Sequence, residues 1–323
     1  MEKRSHFFDN AKFILIVLVI FGHMISPYRN ESEFLGTIYH FIYIFHMPAF
    51  ILITGYFAKN YKRKGYLKNL AIKLLIPYLI FQLAYTTVLI ATNDAAFTIF
   101  NPQWTLWFLI SLFCWNAFLY VFPKKHYGMI LALLLGLGIG YIDEAGTFLS
   151  ISRTFVYFPI FLLGFHLKEI NFKKLKQKSF QLMAAFVWLV IAVVSYYLPG
   201  EASAWLWGSK SYAEMGVEGL LGGAIRLLWY IASIIMMFAF LAFVPQKRYI
   251  FTSIGAHTLY IYLLHGAVIK LLRITPIFDW FVEHQLYILF GILALCLAFI
   301  LASRPIQKVT KLIIEPKFRI RSS

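Results

Sequence analysis

The chain has 323 residues, of which 61% are hydrophobic, 19% aromatic and only 14% charged, and its mean hydropathy is +0.73. Soluble proteins have about half apolar and a quarter charged residues, so this composition excludes an ordinary soluble domain and indicates an integral membrane protein. The net charge of +16 does not predict nucleic-acid binding, because the basic residues form short clusters between apolar runs rather than one stripe.

About ten apolar runs are long enough to cross the roughly 30 Å hydrocarbon core of a bilayer. They lie near 12–27, 36–58, 69–92, 104–122, 127–142, 153–168, 179–198, 219–244, 252–272 and 285–303. The connecting loops are short apart from the one near 199–218. We therefore predict an all-α, polytopic membrane bundle of about ten transmembrane helices, forming a single domain over residues 1–323.

Basic clusters predict the orientation of the bundle. With a cytoplasmic N-terminus, the inner segments hold "MEKR", "KNYKRKGYLK", "PKK", "KEINFKKLKQK", "PQKR" and the basic tail after Arg304. The reverse topology violates the positive-inside rule almost everywhere, so both termini are predicted to be cytoplasmic. The tail itself mixes cations with isolated apolar residues, which suits either a segment lying on an anionic leaflet or a solvated one.

Two polar residues interrupt the first span, "AKFILIVLVIFGHMISP". Lys12 and His23 are eleven residues apart, which returns a helix to within about 20° of its starting direction, so they share one face about 16 Å apart. Lys12 lies near the inner edge, where a snorkelling anchor is the alternative to a functional role. His23 lies beyond the middle of the bilayer and requires a partner or a cavity.

Two further histidines are predicted at a similar depth. His265 lies about 20 Å from the inner edge of the ninth span, and His46 lies near the middle of the second. A packing or helix-to-helix hydrogen bond is the alternative for any one of them, but the matched depth favours a shared site.

The chemistry of these residues indicates an enzyme. Histidine is the commonest general base toward a hydroxyl, and the inner cations Lys12, Arg63 and Lys73 suit a ligand that carries phosphate. A coupled transporter is less favoured, because such proteins bury carboxylates in their spans and here most acids lie in loops. Cys114 and Cys296 lie inside apolar runs, so we predict packing roles for them and neither a disulfide nor a metal site.

Six motifs, in order along nearly the whole chain, resemble integral-membrane acyltransferases of the acyltransferase 3 type, in the fucose 4-O-acetylase-like branch. They are "FDNAKFILIVLVIFGH", "FHMPAFILITGYF", "KLLIPYLIF", "WTLWFLISLF", "RTFVYFPIFLLG" and "TLYIYLLH". Two positions depart from the usual pattern. Lys12 replaces arginine and so loses the planar fork that binds oxyanions bidentately, and Thr54 replaces serine but keeps a hydroxyl.

The resemblance implies an acyl-CoA-dependent O-acyltransferase of the bacterial cytoplasmic membrane, which moves an acetyl or short acyl group to a cell-envelope carbohydrate. His23 is then the general base or an acyl carrier, and His265 and His46 orient it or move its proton. Acetyl-CoA or a related donor is expected at Lys12, Arg63 and Lys73, with no metal. The expected partners are a carbohydrate or lipid-linked glycan, membrane lipids and polysaccharide-assembly proteins.

The acceptor is expected at the outer end. Trp104 and Trp107, or Trp205 and Trp207, are candidates to stack on sugar rings, and Arg153 is a candidate to contact an anionic acceptor group. An interfacial aromatic belt and a headgroup anchor are the respective alternatives. Two other functions stay open at this point: a carrier that exports a glycan or an acylated intermediate without catalysis, and a noncatalytic partner of a polysaccharide assembly complex.

Overall fold

The computed structural model describes residues 5–91, 98–122 and 125–316, and this part of the chain contains helices and no strand. The α-helices, in chain order α1 to α15, are His6–Ile25, Glu33–Tyr43, His46–Phe57, Tyr66–Ala91, Trp107–Phe118, Lys125–Gly138, Ile151–His166, Glu169–Lys174, Lys178–Tyr197, Ser203–Trp207, Leu220–Phe243, Thr258–Arg273, Ile277–Glu283, Ile288–Leu301 and Arg304–Ile314. The prediction of an all-α polytopic bundle is confirmed.

The number of full-length spans is lower than the ten apolar runs predict. Among the described residues, six helical segments are long and apolar enough to cross a membrane, or up to eight if each of two bent pairs forms one span. The two remaining runs form the shorter apolar helices Trp107–Phe118 and His126–Tyr141. Apolar length alone does not reveal a bend, such as the 84° angle between Ile250–Ala256 and Thr258–Arg273.

The exposed surface of the bundle is apolar, as lipid requires. In the helix Lys178–Tyr197, only 11% of the apolar stretch is buried in the bundle. Its exposed side chains are large and apolar, such as Leu182, Phe186 and Leu189. A helix that is hydrophobic on its exposed face is stable only against lipid or another apolar surface. This part of the chain therefore forms a multi-pass membrane protein.

The centre of the bundle depends on a close crossing of α3 and α7. A Cβ atom on Gly55 would lie 2.0 Å from the Phe161 carbonyl oxygen, and one on Gly164 would lie 2.0 Å from the Leu52 carbonyl oxygen. Small residues allow such backbone approach in membrane proteins, where packing rather than the hydrophobic effect drives helix association. The crossing fixes α3, which carries His46, against α7, which carries Arg153.

Polar contacts hold the start of α1 at the basic end of the bundle, defined by the loops around residues 58–66, 167–178 and 244–257. The Asn10 side chain donates to the Pro245 and Lys247 carbonyl oxygens, each at 2.9 Å, and accepts from Thr252 Oγ1 at 2.6 Å. Nearby, Lys176 Nζ donates to the last carbonyls of α11, and burial lowers the pKa of this ammonium to about 8. A cation at a helix C-terminus stabilises its unpaired carbonyls.

The long loop at the opposite, outer end folds back over the bundle. Ser152 Oγ donates to the Gly208 carbonyl at 2.9 Å, and Tyr157 donates its hydroxyl proton to the Leu206 carbonyl at 2.9 Å. Trp207 Nε1 donates to the Tyr39 hydroxyl oxygen at 2.8 Å. The loop therefore covers the outer ends of α2 and α7 instead of extending into solvent.

Candidate active site

One face of α1 lines two cavities inside the bundle. Lys12, Ile16, Val19 and His23 follow each other at spacings of four, three and four residues, which keeps them on one side of a helix. Lys12 and Ile16 line an inner cavity of about 260 Å³, His23 lines an outer cavity of about 230 Å³, and Val19 lines both. The predicted shared face of Lys12 and His23 is therefore present in the structure.

The inner cavity has mainly apolar walls, with cations at its edge. Phe50, Phe108 and Leu112 are among the apolar residues that line it. Its cationic lining residues are Lys12 and Lys73, and Thr54 adds a hydroxyl. Arg63, the third predicted donor-binding cation, is exposed on the basic loop and is not part of this lining.

Lys12 has a partner that the sequence analysis did not identify. Its ammonium lies 2.8 Å from the carboxylate of Asp9, whose side chain is only 6% exposed. The spacing of Asp9 and Lys12 could have predicted this ion pair, because residues three apart on a helix are neighbours on its surface. The ion pair reduces the charge that Lys12 presents, while its side chain still borders the cavity.

The outer cavity combines histidine, arginine and aromatic side chains. His23 and His46 line it together with Arg29 and Arg153. Its aromatic lining residues are Trp104, Trp107, Trp207, Tyr39, Tyr43, Tyr157 and Tyr262. Of the predicted acceptor-side residues, Trp205 is absent from this lining and instead stacks on Tyr212 at 5.5 Å between ring centroids.

Three residues separate the two cavities while bordering both. Val19, Met47 and Tyr262 line the inner cavity and the outer one. The Tyr262 hydroxyl donates to the Thr105 carbonyl oxygen, which fixes the ring, whereas Met47 has an unbranched and adaptable side chain. We call Val19, Met47 and Tyr262 the septum.

The His23 imidazole forms no hydrogen bond within the described residues, and His23 lines the outer cavity. Its ring lies 4.8 Å from the Trp104 ring and 5.5 Å from the His265 ring, between centroids. His265 is fully buried and lines neither cavity, so it lies behind His23 rather than beside a ligand. The structure thus brings His265 against His23 and places His46 on the lining of the same cavity as His23.

Hydrogen bonds fix the neutral tautomers of the other two histidines. Nδ1 of His46 lies 2.9 Å from the Ile42 carbonyl oxygen, and Nδ1 of His265 lies 3.1 Å from that of Ile261. A carbonyl oxygen only accepts, so each Nδ1 carries the proton and each Nε2 keeps its lone pair. Nε2 of His265 is buried and has no hydrogen-bond partner in the described part of the chain.

Trp104 holds a strained backbone conformation next to His23. Its φ is +45°, a region that bulky residues rarely adopt. The Arg273 guanidinium lies 5.3 Å from its ring centroid, and a Cβ on Gly266 would lie 3.3 Å from its ring carbons. The absence of a side chain at Gly266 leaves room for the ring against α12. Trp104 therefore packs against the predicted base as well as lining the cavity.

Sequence reasoning did not assign several residues of the outer cavity. Arg29 follows the first span, and Tyr39, Tyr43 and Tyr157 were not distinguished from ordinary aromatic residues of membrane helices. Met47 lies in the motif "FHMPAFILITGYF", in which only His46 was assigned a role in the site. Their roles depend on which helices meet, and periodicity in one segment does not give that information.

The fold and the two cavities define a multi-pass membrane protein with a site of histidine, cations and aromatic rings between its helices. Residues 5–303 match the family described as acyltransferase domain, the acyltransferase 3 family, and the chain belongs to this family.

Curated relatives share most of the chain. It is 25% identical over 306 residues to nodulation protein NolL of Sinorhizobium fredii (strain NBRC 101917 / NGR234), covering 84% of this chain and 79% of that protein. It is 24% identical over 304 residues to nodulation protein NolL of Mesorhizobium japonicum (strain LMG 29417 / CECT 9101 / MAFF 303099), covering 84% of this chain and 78% of that protein. No solved structure gives a significant match.

Proposed function

We propose that this acyltransferase moves an acetyl or short acyl group from acyl-CoA to a hydroxyl of a cell-envelope or extracellular carbohydrate. The observation that carries the proposal is the meeting of the inner and outer cavities at the septum, beside His23. The inner cavity offers apolar walls with cations, and the outer cavity offers a base among aromatic rings. A donor and an acceptor that enter from opposite ends of the bundle would meet next to His23.

The donor is assigned to the inner cavity. Lys12 and Lys73 border it at the basic end, where the positive-inside rule places the cytoplasm and its acyl-CoA. The apolar walls suit the thin arm that carries the thioester, and the ammonium groups suit phosphate. Arg63 is exposed at the same end and increases the local positive potential that attracts an anionic donor.

His23 is assigned as the general base. The acceptor hydroxyl oxygen attacks the thioester carbonyl carbon while His23 takes the hydroxyl proton. The carbon–sulfur bond then breaks, and CoA leaves as a thiol after His23 returns the proton. A positioned base of this kind contributes about 10²–10⁴-fold in rate. Direct acyl transfer to His23 is the alternative, which requires an acyl-enzyme that forms before acceptor is added.

The acceptor is assigned to the outer cavity. Trp104, Trp107 and Trp207 give it flat apolar faces, and tyrosine hydroxyls add hydrogen-bonding groups. Such a lining suits a sugar, which has apolar C–H faces and many hydroxyls. The family resemblance adds that the sugar belongs to a lipid-linked intermediate or an envelope polymer of a bacterial cytoplasmic membrane. Polysaccharide-assembly proteins are then its expected neighbours.

The test is transfer of label from acetyl-CoA by purified protein in lipid nanodiscs, with an envelope glycan extract as acceptor. His23→Ala is expected to lower CoA release and glycan labelling by at least about 100-fold. His126→Ala is the matched control, because His126 is exposed and lines neither cavity. Normal labelling by His23→Ala would remove His23 from the mechanism, and glycan transport without CoA release would favour a carrier.

A further inference from the structure

The outer cavity has two positive charges and no carboxylate among its lining residues. Arg29 and Arg153 both border it, and neither forms an ion pair with any residue that the structure describes. An uncompensated guanidinium inside a membrane bundle is costly, so charged residues of this kind usually mark a ligand site.

The Arg153 guanidinium is held in place but keeps most of its donors unused. Its Nε donates to the Trp207 carbonyl oxygen at 3.2 Å, and its planar group lies 5.2 Å from the Trp107 ring centroid. Its two terminal nitrogens have no hydrogen-bond partner within residues 5–91, 98–122 and 125–316. Terminal nitrogens of arginine match the paired oxygens of a carboxylate or phosphate.

Arg29 contacts Trp207 from the turn that follows α1. Its guanidinium lies 5.3 Å from the Trp207 ring centroid and 5.7 Å from that of Tyr39. Nη1 donates to the Ser26 carbonyl at 2.5 Å, and Nε is buried with no partner in the described residues. Both guanidiniums therefore contact Trp207, Arg29 at its ring and Arg153 at its backbone carbonyl, and both keep unused donors on the lining of one cavity.

No neighbouring acid in the described part of the chain forms an ion pair with Arg29 or Arg153. Arg29 also borders a surface recess lined by Glu33 and Glu201, but neither carboxylate lies within the 4.0 Å of an ion pair with it. The nearby Arg273 adds a third positive charge behind Trp104. The outer cavity therefore presents a positive surface to whatever enters it.

We propose that Arg29 and Arg153 form a subsite for an anionic group of the acceptor, a carboxylate or a phosphate carried by the sugar. This inference rests on the proposed function only in calling the ligand an acceptor, because the subsite itself is a binding site. The acceptor is then an acidic or phosphorylated glycan, and the subsite orients it so that a hydroxyl faces His23.

The experiment measures equilibrium binding without acetyl-CoA, from the intrinsic tryptophan fluorescence of purified protein in neutral detergent. The probes are methyl glucoside, methyl glucuronide and methyl glucoside 6-phosphate, which have the same ring but differ in the anionic group. At least one anionic probe is expected to bind at least tenfold more tightly than the neutral one. The anion that gains affinity identifies the carboxylate or the phosphate as the recognised group.

Variants test the assignment to the two arginines. Arg29→Gln and Arg153→Gln are each expected to reduce the anionic preference to twofold or less, and Arg153→Lys to keep part of it. Arg248→Gln, at an exposed position of the basic end, controls for net charge and should keep the preference. Equal affinity of all three probes for the native chain, or an unchanged preference in both glutamine variants, would overturn the subsite.

A separate variant distinguishes this inference from the proposed function. His23→Ala is expected to keep the anionic preference, because His23 is not part of the subsite. Anionic preference in a protein that never transfers acetyl would contradict the acyltransfer and leave the subsite standing. Acetyl transfer to neutral sugars with no anionic preference would contradict the subsite and leave the acyltransfer standing.

Discussion

His23 and His265 face each other between α1 and α12, with 5.5 Å between their ring centroids. His265 Nδ1 donates to the Ile261 carbonyl, so its buried Nε2 holds a lone pair without a partner among the described residues. In the proposed mechanism, His23 takes the proton of the acceptor hydroxyl and then carries a second N–H, which the lone pair of His265 Nε2 could accept as a hydrogen bond. We therefore propose that His265 is a positioning residue that stabilises the charged form of His23.

The first prediction concerns His265→Gln and His265→Phe. Both variants are expected to lower kcat by about tenfold to a hundredfold, less than the full contribution of a general base, with little change in the KM for acetyl-CoA. Rate measurements as a function of pH provide the second readout. The His265→Phe variant should shift the pH profile of kcat/KM to lower pH.

The direction of that pH shift follows from the charge on His23. Removing the lone pair of His265 destabilises the imidazolium form of His23, so the free base persists to lower pH and the kcat/KM profile moves to lower pH. His265→Gln keeps a hydrogen-bond acceptor and should shift the profile less than His265→Phe. Identical profiles in the native chain and both variants would show that His265 only fills space.

The second prediction concerns the space that Gly266 leaves for Trp104. In Gly266→Ala the new Cβ would lie 2.9 Å from the Tyr85 hydroxyl oxygen and 3.3 Å from the Trp104 ring. Overpacking of this kind costs about 1–3 kcal/mol, and it should displace Trp104 from His23 and lower kcat. Thermal unfolding in nanodiscs and the acetyl-transfer rate measure the two effects.

Gly291→Ala is the control for that variant, because a Cβ on Gly291 meets no atom within 4 Å. This helical substitution should leave the transfer rate unchanged and stabilise the protein by up to about 1 kcal/mol. Equal transfer rates in Gly266→Ala and Gly291→Ala would contradict a role for the Trp104 position in catalysis.

The third prediction concerns Met47, the adaptable member of the septum. Met47→Ala removes side-chain volume from the septum and should raise kcat/KM for butyryl-CoA relative to acetyl-CoA, because a longer acyl group would gain room beside His23. Met47→Phe should lower transfer from both donors, because a larger and stiffer side chain narrows the same passage. Met183→Ala, on the exposed face of α9, should leave the donor ratio as it is. If neither Met47 variant changes the ratio of kcat/KM for butyryl-CoA to kcat/KM for acetyl-CoA, the thioester does not lie beside Met47.

The fourth prediction concerns Lys12, which pairs with Asp9 at 2.8 Å. Lys12→Ala should raise the KM for acetyl-CoA more than it lowers kcat, and Lys12→Arg should retain more donor affinity than Lys12→Ala. Lys178→Ala removes an exposed charge at the same end of the bundle and serves as the control. Unchanged donor affinity in Lys12→Ala would support a purely structural ion pair.

Sequence periodicity predicted that Lys12 and His23 lie on one side of α1, but it did not predict which residues pack against that side. The spacing of Lys12 and His23 fixes their common side, since an α-helix has a constant rotation per residue. The apposition of Arg29 and Arg153 at Trp207 joins residues from three separate elements. Such contacts depend on helix crossings and loop conformation, which one segment's pattern does not determine.

The boundaries of spans were predictable only where helices are straight. Composition located the apolar runs, because lipid requires such residues wherever a helix crosses. It did not predict the 68° bend between Ile288–Leu301 and Arg304–Ile314. A bend depends on capping and on neighbouring helices. The segment after Arg304, predicted to lie on the inner leaflet or in solvent, begins as the helix α15, which its composition did not predict.

The septum has a consequence for the membrane itself. A protein that receives reactants from both sides of a bilayer risks becoming a leak for ions and protons, which would dissipate the membrane potential. Val19, Met47 and Tyr262 line both cavities, so the proposed donor and acceptor would enter separate compartments and meet only at the septum. The proposed reaction would therefore bring a charged donor and a polar acceptor together while the septum preserves the electrical insulation on which the cell's energy supply depends.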